Sequence, residues 1–171
     1  HLGCGTSKLG IELAELKVAK AVGASIVNLD FSPTAIESMQ RAYSSLDYPQ
    51  NSWIVGDALN MPFKDDSFDL VVDKGTFDAL EFADTGIDKT SQADSLTSAL
   101  CREVDRVLKQ HSQAAWVQIT HTEPDMRLEL LHTALPRESS GSSVHDSWCV
   151  GCQSLGEDDN GFEYYLYSIK R

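Results

Sequence analysis

Leu2-Gly3-Cys4-Gly5-Thr6-Ser7-Lys8-Leu9-Gly10 sets a glycine-rich turn between an apolar residue and a run of helical spacing. Gly3 and Gly5 let the backbone take positive φ and approach a ligand closely, and the helix that follows aims its free N–H groups at the same place. That helix is expected over 8–22, with Leu9, Leu13, Leu16, Val18 and Val22 repeating at helical intervals and Gly23 ending it. Beyond it, Ser25 to Asp30 is a short apolar run ending in an acid, as a buried parallel strand would. Ser32-Pro33 opens a second helix, with Ser32 as cap, reaching about Leu46. Trp53-Ile54-Val55 reads as the next strand, closed by Gly56-Asp57.

Residues 61–67 read as a loop, and Phe68-Asp69-Leu70-Val71-Val72-Asp73 as the clearest buried strand in the chain. Lys74 to Phe82 reads as a loop with one helical turn. An amphipathic helix follows over 91–110, with Leu96, Leu100, Val104, Val107 and Leu108 inward. A strand is expected over 114–120 and a helix over 124–135, with Pro124 in its first turn. The chain closes on two strands, 143–155 and 162–170, joined through Asn160-Gly161, a pair that favours a hairpin turn with both central residues at positive φ. Residues 138–143, rich in serine and glycine, read as a mobile loop.

Alternating strands and helices make crossover units. The expected fold is therefore α/β, a doubly wound, mostly parallel, Rossmann-like sheet in three layers that ends in an antiparallel hairpin. The 171 residues fit one domain, with 42% apolar residues to fill a core. A buried strand should precede the glycine turn, and only His1 and Leu2 stand before it. The expectation is a single domain over 1–171, N-terminally truncated, with most of its first strand absent.

Charge narrows the partners. Fourteen Lys and Arg against 26 Asp and Glu give a net charge of −12, a surface that repels a phosphate backbone and suits a basic peptide or a lysine-bearing protein. No nucleic-acid partner is expected, and no membrane one, since no run approaches the length of a spanning helix. Of the four cysteines, only Cys149 and Cys152 have suggestive spacing. They fall in a strand, whereas a redox pair needs a helix N-terminus. With His145 they make three zinc ligands where four are wanted; no metal site is expected. His111, His132 and His145 show no partners in sequence, His121 after the fifth strand is either near the site or a loop residue, and the Ser139–Ser143 run reads as spacer.

In an open α/β sheet, ligands lie at the carboxyl ends of the strands. The glycine turn, Asp30, Asp57 and Asp73 all fall at such ends. A carboxylate at Asp30 can accept both hydroxyl protons of a ribose, with Phe31 and Ser32 along that edge. Asp57 can accept from an exocyclic adenine amine, with Ala58 and Leu59 beside the ring. A dinucleotide fingerprint would ask for a third glycine three residues after Gly5, and that position is Lys8.

The Gly3, Gly5, Ser7 pattern with two later acids resembles the class I methyltransferases that bind S-adenosyl-L-methionine, a cofactor with no phosphate to cradle. Asp73-Lys74-Gly75-Thr76-Phe77-Asp78-Ala79 is similar to the DKGT-x-DA signature of a methyltransferase-like group. That group includes lysine methyltransferases acting on elongation factor 1-alpha and on citrate synthase. Glu123-Pro124-Asp125-Met126-Arg127-Leu128 is most similar to the citrate synthase branch, and Tyr164 to Ile169 fits the group's last strand. Gln110-His111-Ser112 departs from the Pro-Gly-Gly that many class I enzymes place there.

The resemblance implies a methyltransferase enzyme, S-adenosyl-L-methionine as cofactor, and a lysine of a non-histone protein as acceptor. It implies a mitochondrial address through the citrate synthase branch, and a cytoplasmic one otherwise. Cofactor contacts are expected from Gly3, Gly5, Ser7, Asp30, Phe31, Ser32, Asp57, Ala58, Leu59 and Asp73. Asp73, Phe77 and Asp78 are the candidate catalytic residues: Asp73 orients the methionine end or the incoming amine, and Phe77 forms a wall. Asp78 is either a site acid or a cap of its short helix, and Lys74 either a site cation or a solvated charge. The alternatives are a small-molecule methyltransferase and a non-catalytic module that retains the fold.

Overall fold

The computed structural model describes residues 1–43, 47–84, 95–135 and 148–170. The ends of three expected elements, Leu46, 91–94 and 143–147, lie outside these residues, as do the loop 138–143 and His145. The chain divides into two compact units, His1–Pro62 and Phe63–Arg171.

In the first unit, α1 (Leu9–Glu15) and α2 (Lys17–Val22) replace the single helix expected over 8–22. Leu16 interrupts them at φ −59° and ψ 136°. The apolar spacing that suggested one helix is not matched by burial beyond that point. Leu16, Val18 and Val22 are all exposed, whereas Gly10, Ile11 and Ala14 of α1 are buried. Strand β1 (Ile26–Asp30) pairs in parallel with β2 (Asn51–Val55), from Ile26 opposite Asn51 to Asp30 opposite Val55. Leu2 forms a parallel bridge to Leu29 on β1's other side, bringing the glycine turn to the carboxyl end of β1. Helix α3 (Pro33–Ala42) starts as the sequence indicates: Ser32 Oγ accepts from Ala35 N at 3.3 Å and Pro33 sits where no donor is lost.

In the second unit, β3 (Leu70–Lys74) pairs in parallel with β4 (Ala115–Thr120), and β6 (Glu163–Lys170) runs antiparallel to both β4 and β5 (Cys149–Glu157), giving the order β3-β4-β6-β5. The region 74–82, expected as a loop with one helical turn, holds more helix than that: α4 (Thr76–Asp84), nine residues long. Its formation follows from Asp73, whose two carboxylate oxygens accept from Thr76 N at 2.8 Å and Phe77 N at 3.1 Å, satisfying donors that a helix start otherwise leaves bare. At its far end Asp84, itself buried, accepts from Leu96 N and Thr97 N of α5 (Leu96–Val107), stitching the two helices together. Leu100, Val104 and Val107 of α5 are fully buried, each contributing about 2 kcal/mol of apolar transfer. Helix α6 (Pro124–Ala134) buries Arg127, Leu131 and Ala134.

The final hairpin is not the two-residue turn expected of Asn160-Gly161. Pairing ends at Glu157 opposite Glu163, and only Gly161 has positive φ, at 81°. Asp158 builds the loop instead, its Oδ1 accepting from Asn160 N at 2.9 Å and Phe162 N at 3.0 Å. A side chain that organises the longer loop removes the demand for positive φ at Asn160. Among the described residues no helix is long and apolar enough to cross a membrane.

Candidate functional site

Gly3 at φ 53° and Gly5 at φ 50° carry the chain through a turn that the Ser7 N to Cys4 O hydrogen bond closes at 2.9 Å. Cys4 N donates to Leu29 O at 3.0 Å, fixing this turn against the end of β1. Asp30, 7% exposed, then reaches across: Oδ2 accepts from Gly5 N at 2.7 Å and Oδ1 from Ser32 N at 2.9 Å. Each carboxylate oxygen thus receives one backbone N–H and keeps a further lone pair for a ligand. Phe31 projects beside it with 81% of its surface exposed.

The two serines are committed to the backbone. Ser7 Oγ accepts from Leu9 N at 3.2 Å at the start of α1, and Ser32 Oγ caps α3. Asp57 is exposed after β2, where its Oδ1 accepts from Leu59 N at 2.8 Å and shapes the Asp57–Asn60 turn that holds Ala58 and Leu59. Burial pushes the Cys4 thiol up to about 11, with the Asp30 carboxylate adding to the effect, so Cys4 is an inert wall residue rather than a nucleophile.

The second unit brings Asp73, Phe77 and Asp78 to one place, with roles that burial decides. Asp73 is 1% exposed and its carboxyl is pushed up to about 6 by desolvation; the N–H groups of Thr76 and Phe77 oppose this, Asp78 adds to it and Arg127 offsets it. Phe77, also 1% exposed, faces the interior, where the Arg127 guanidinium lies 4.4 Å over its ring and Trp116 stands 6.1 Å away. Asp78 is bound by Arg127 Nη2 and accepts from Thr120 Oγ1 at 2.9 Å. Glu81 adds a second carboxylate 3.8 Å from the same guanidinium nitrogen. Thr122 Oγ1 takes a hydrogen bond from Arg127 Nη2 at 3.1 Å, and Tyr167 OH donates to Thr122 O at 2.9 Å. Lys74 and Gly75, the latter at φ 80°, are left on the surface of the turn between β3 and α4.

Three features escape a reading of the sequence. Arg127 is fully buried between the exposed Met126 and Leu128; its spacing to Leu131 and Ala134 puts it on the inward face of α6, and that position is the signal that marks it. Among the described residues, Gln118, 2% exposed, has no hydrogen-bond partner for either side-chain polar atom, and Arg127 Nε and Nη1 also lack one. Gln118 lies between Asp73 and Tyr167 in register, so a buried polar row crosses β3, β4 and β6. In the first unit, a Cβ at Gly10 would overlap the Asn28 side chain, which is buried and donates to Asn51 Oδ1 at 3.1 Å. Cys149 and Cys152 are exposed on β5, three positions apart on a strand and so on opposite faces.

This arrangement has relatives. The chain is 31% identical over 176 residues to the mitochondrial citrate synthase-lysine N-methyltransferase of Danio rerio, an alignment covering 98% of this chain and 62% of that one. It is 26% identical over 159 residues to an eEF1A lysine and N-terminal methyltransferase homolog of Drosophila pseudoobscura pseudoobscura, covering 93% of this chain and 21% of that protein. The chain thus spans between about a fifth and three fifths of these relatives' lengths. Among solved structures, a SAM-dependent methyltransferase from Aquifex aeolicus superposes with a TM-score of 0.62 at 13% identity, covering 99% of this chain and 80% of that one, and so shares its fold. With residues 1–165 matching the methyltransferase domain family, the chain belongs to that family.

Proposed function

We propose that this chain binds S-adenosyl-L-methionine and catalyses methyl transfer to a lysine amine of a non-histone protein. The observation that carries the cofactor assignment is the Asp30 carboxylate, held by Gly5 N at 2.7 Å and Ser32 N at 2.9 Å with a lone pair left on each oxygen. Two vicinal hydroxyls of a ribose suit that donor-poor, acceptor-rich edge. Gly3 and Gly5 keep the backbone open beside it, Ser7 and Ser32 hold the flanking helix starts, and Phe31 offers an apolar ring face. Asp57, with Ala58 and Leu59 in its turn, accepts from an adenine amine. No phosphate site is asked of the turn, in keeping with Lys8 where a dinucleotide motif has glycine.

Bound S-adenosyl-L-methionine supplies a methyl group on a sulfonium, already activated toward an amine. The chain's contribution is alignment and exclusion of water. An ammonium near pKa 10.4 must lose its proton before it can accept a methyl group. Neither candidate carboxylate, Asp73 or Asp78, is free to take that proton. Asp73 caps α4, and Asp78 is bound to Arg127 and Thr120. With both committed, the proton leaves to solvent. Asp73, Phe77 and Asp78 act by shaping the Lys74-Gly75-Thr76 turn, and the backbone of that turn orients the acceptor.

The likeness to lysine methyltransferases named for citrate synthase and eEF1A supports a protein substrate, and the mitochondrial address in one relative's name supports that compartment, with the cytoplasm as the alternative. Incubating the chain with methyl-labelled S-adenosyl-L-methionine and purified citrate synthase or eEF1A tests the reading. A labelled substrate band lost on lysine acetylation supports it. Label confined to small molecules, or no transfer at all, overturns it.

A further inference from the structure

Arg127 is a costly residue where it stands. Its side chain has no exposed surface, and the N–H groups on Nε and Nη1 find no partner among the described residues. Core packing alone gives little reason for a guanidinium there, since burying a charge costs more than its ion pair commonly returns. What an apolar side chain could not do in its place is join separate segments by hydrogen bonds.

Two turns meet at this one guanidinium. Arg127 Nη2 donates to Asp78 in the first turn of α4, and to Thr122 Oγ1 at 3.1 Å beyond the end of β4. Thr120 Oγ1 closes the triangle, donating to Asp78 at 2.9 Å and accepting from Thr122 N at 3.0 Å. Tyr167 OH holds the same turn from β6 through Thr122 O. On the other side, Asp78 Oδ2 lies 4.0 Å from where a Cβ on Gly75 would stand, so the acid packs under the Lys74-Gly75-Thr76 turn. Strands β3 and β4 are parallel neighbours, and the two turns leave them at the same edge. That edge is where an α/β sheet takes its ligands.

We propose that Arg127 is a positioning residue for methyl transfer, locking the turn after β4 to the turn after β3 so that the acceptor amine meets both in one arrangement. The proposal rests on the methyltransferase reading for its purpose, though the lock itself needs neither cofactor nor substrate. With no exposed surface, Arg127 acts only through the residues it holds. Misplacing a positioning element by about an ångström lowers a transfer rate by up to about a hundredfold. Cofactor affinity, which rests on Asp30 and the glycine turn, is left alone.

Arg127→Met, Arg127→Lys and Thr122→Val test the lock. Lysine keeps the charge but offers a single ammonium in place of a flat fork. Valine keeps the shape of Thr122 at a half-buried position and removes only the hydroxyl. Amide hydrogen exchange at Thr122 is expected to quicken in all three variants, and at Thr76 in the two Arg127 variants. The gain should be about tenfold or more beyond any change at the buried α5 residues Leu100 and Val104, because hydrogen bonds to a charged group are lost locally. Methyl transfer is then measured on purified citrate synthase or eEF1A, whichever the wild type labels. The rate kcat per folded molecule is expected to fall about tenfold or more in both Arg127 variants and less in Thr122→Val, with KM and the calorimetric cofactor affinity within about twofold of the wild type. Wild-type kcat in Arg127→Lys or Thr122→Val, a loss that falls on cofactor affinity instead, or exchange that quickens equally throughout the chain would overturn the lock. A wild type that labels neither protein removes the methyltransferase reading, and exchange at Thr76 and Thr122 then decides the lock by itself.

Discussion

Arg127 and Asp78 form a lopsided pair. The guanidinium is fully buried, whereas the Asp78 side chain keeps 22% of its surface. Removing the acid leaves a charge that cannot reach water, and Glu81 at 3.8 Å is a poor substitute. Removing the base leaves a carboxylate that can. Asp78→Ala is therefore expected to cost about 3 kcal/mol in urea denaturation and Arg127→Met roughly half of that; the reverse order would show that Asp78 is the worse-solvated partner. Asp73 adds a pH dependence of known sign. Its folded carboxyl stands at about 6, above the ordinary 3.8, so the folded state favours the proton. Its contribution is fully present below ~4 and is lost as pH rises through ~6, a span worth roughly 3 kcal/mol. The stability of the wild type relative to Asp73→Asn should fall across that window and stay flat above ~7; a difference that does not change with pH would contradict the burial argument.

At the level of elements, the hairpin loop separates two accounts of the same dipeptide. A two-residue Asn-Gly turn needs positive φ at both residues, and here only Gly161 has it, at 81°. Gly161→Ala should thus cost about 1 kcal/mol, and Asn160→Ala less than about 0.5 kcal/mol, in thermal unfolding; comparable losses would restore the shorter turn. Most elements are legible from local pattern because their apolar faces are in fact buried, as in α5, or because a cap marks their start, as Ser32 does for α3. Legibility fails where the deciding partner is distant or missing. Leu16, Val18 and Val22 keep helical spacing yet are exposed, and α2 parts from α1. Helix α4 begins on Asp73, whose capping role looks the same in sequence as a ligand-binding acid.

On the scale of the whole molecule, the alternation of strands and helices and the acids at strand ends are readable directly, since within each unit parallel strands carry such residues at their carboxyl ends. Arg127 is not readable from its immediate neighbours, since a basic residue between two apolar ones on a helix suggests solvent; only its spacing to Leu131 and Ala134 marks it as inward. The contact with Asp78 links the DKGT-x-DA segment to the Glu-Pro-Asp-x-Arg-Leu segment within one buried network, giving a physical reason for two distant stretches to share a family likeness. The account turns on the carboxylate beside the glycine turn. Calorimetric titration of S-adenosyl-L-methionine into the wild type, Asp30→Ala and the exposed control Asp69→Ala measures it directly. Loss of two hydrogen bonds to a charged acceptor should weaken Asp30→Ala by about a hundredfold or more and leave Asp69→Ala unchanged. Wild-type affinity in a folded Asp30→Ala protein would contradict the assignment.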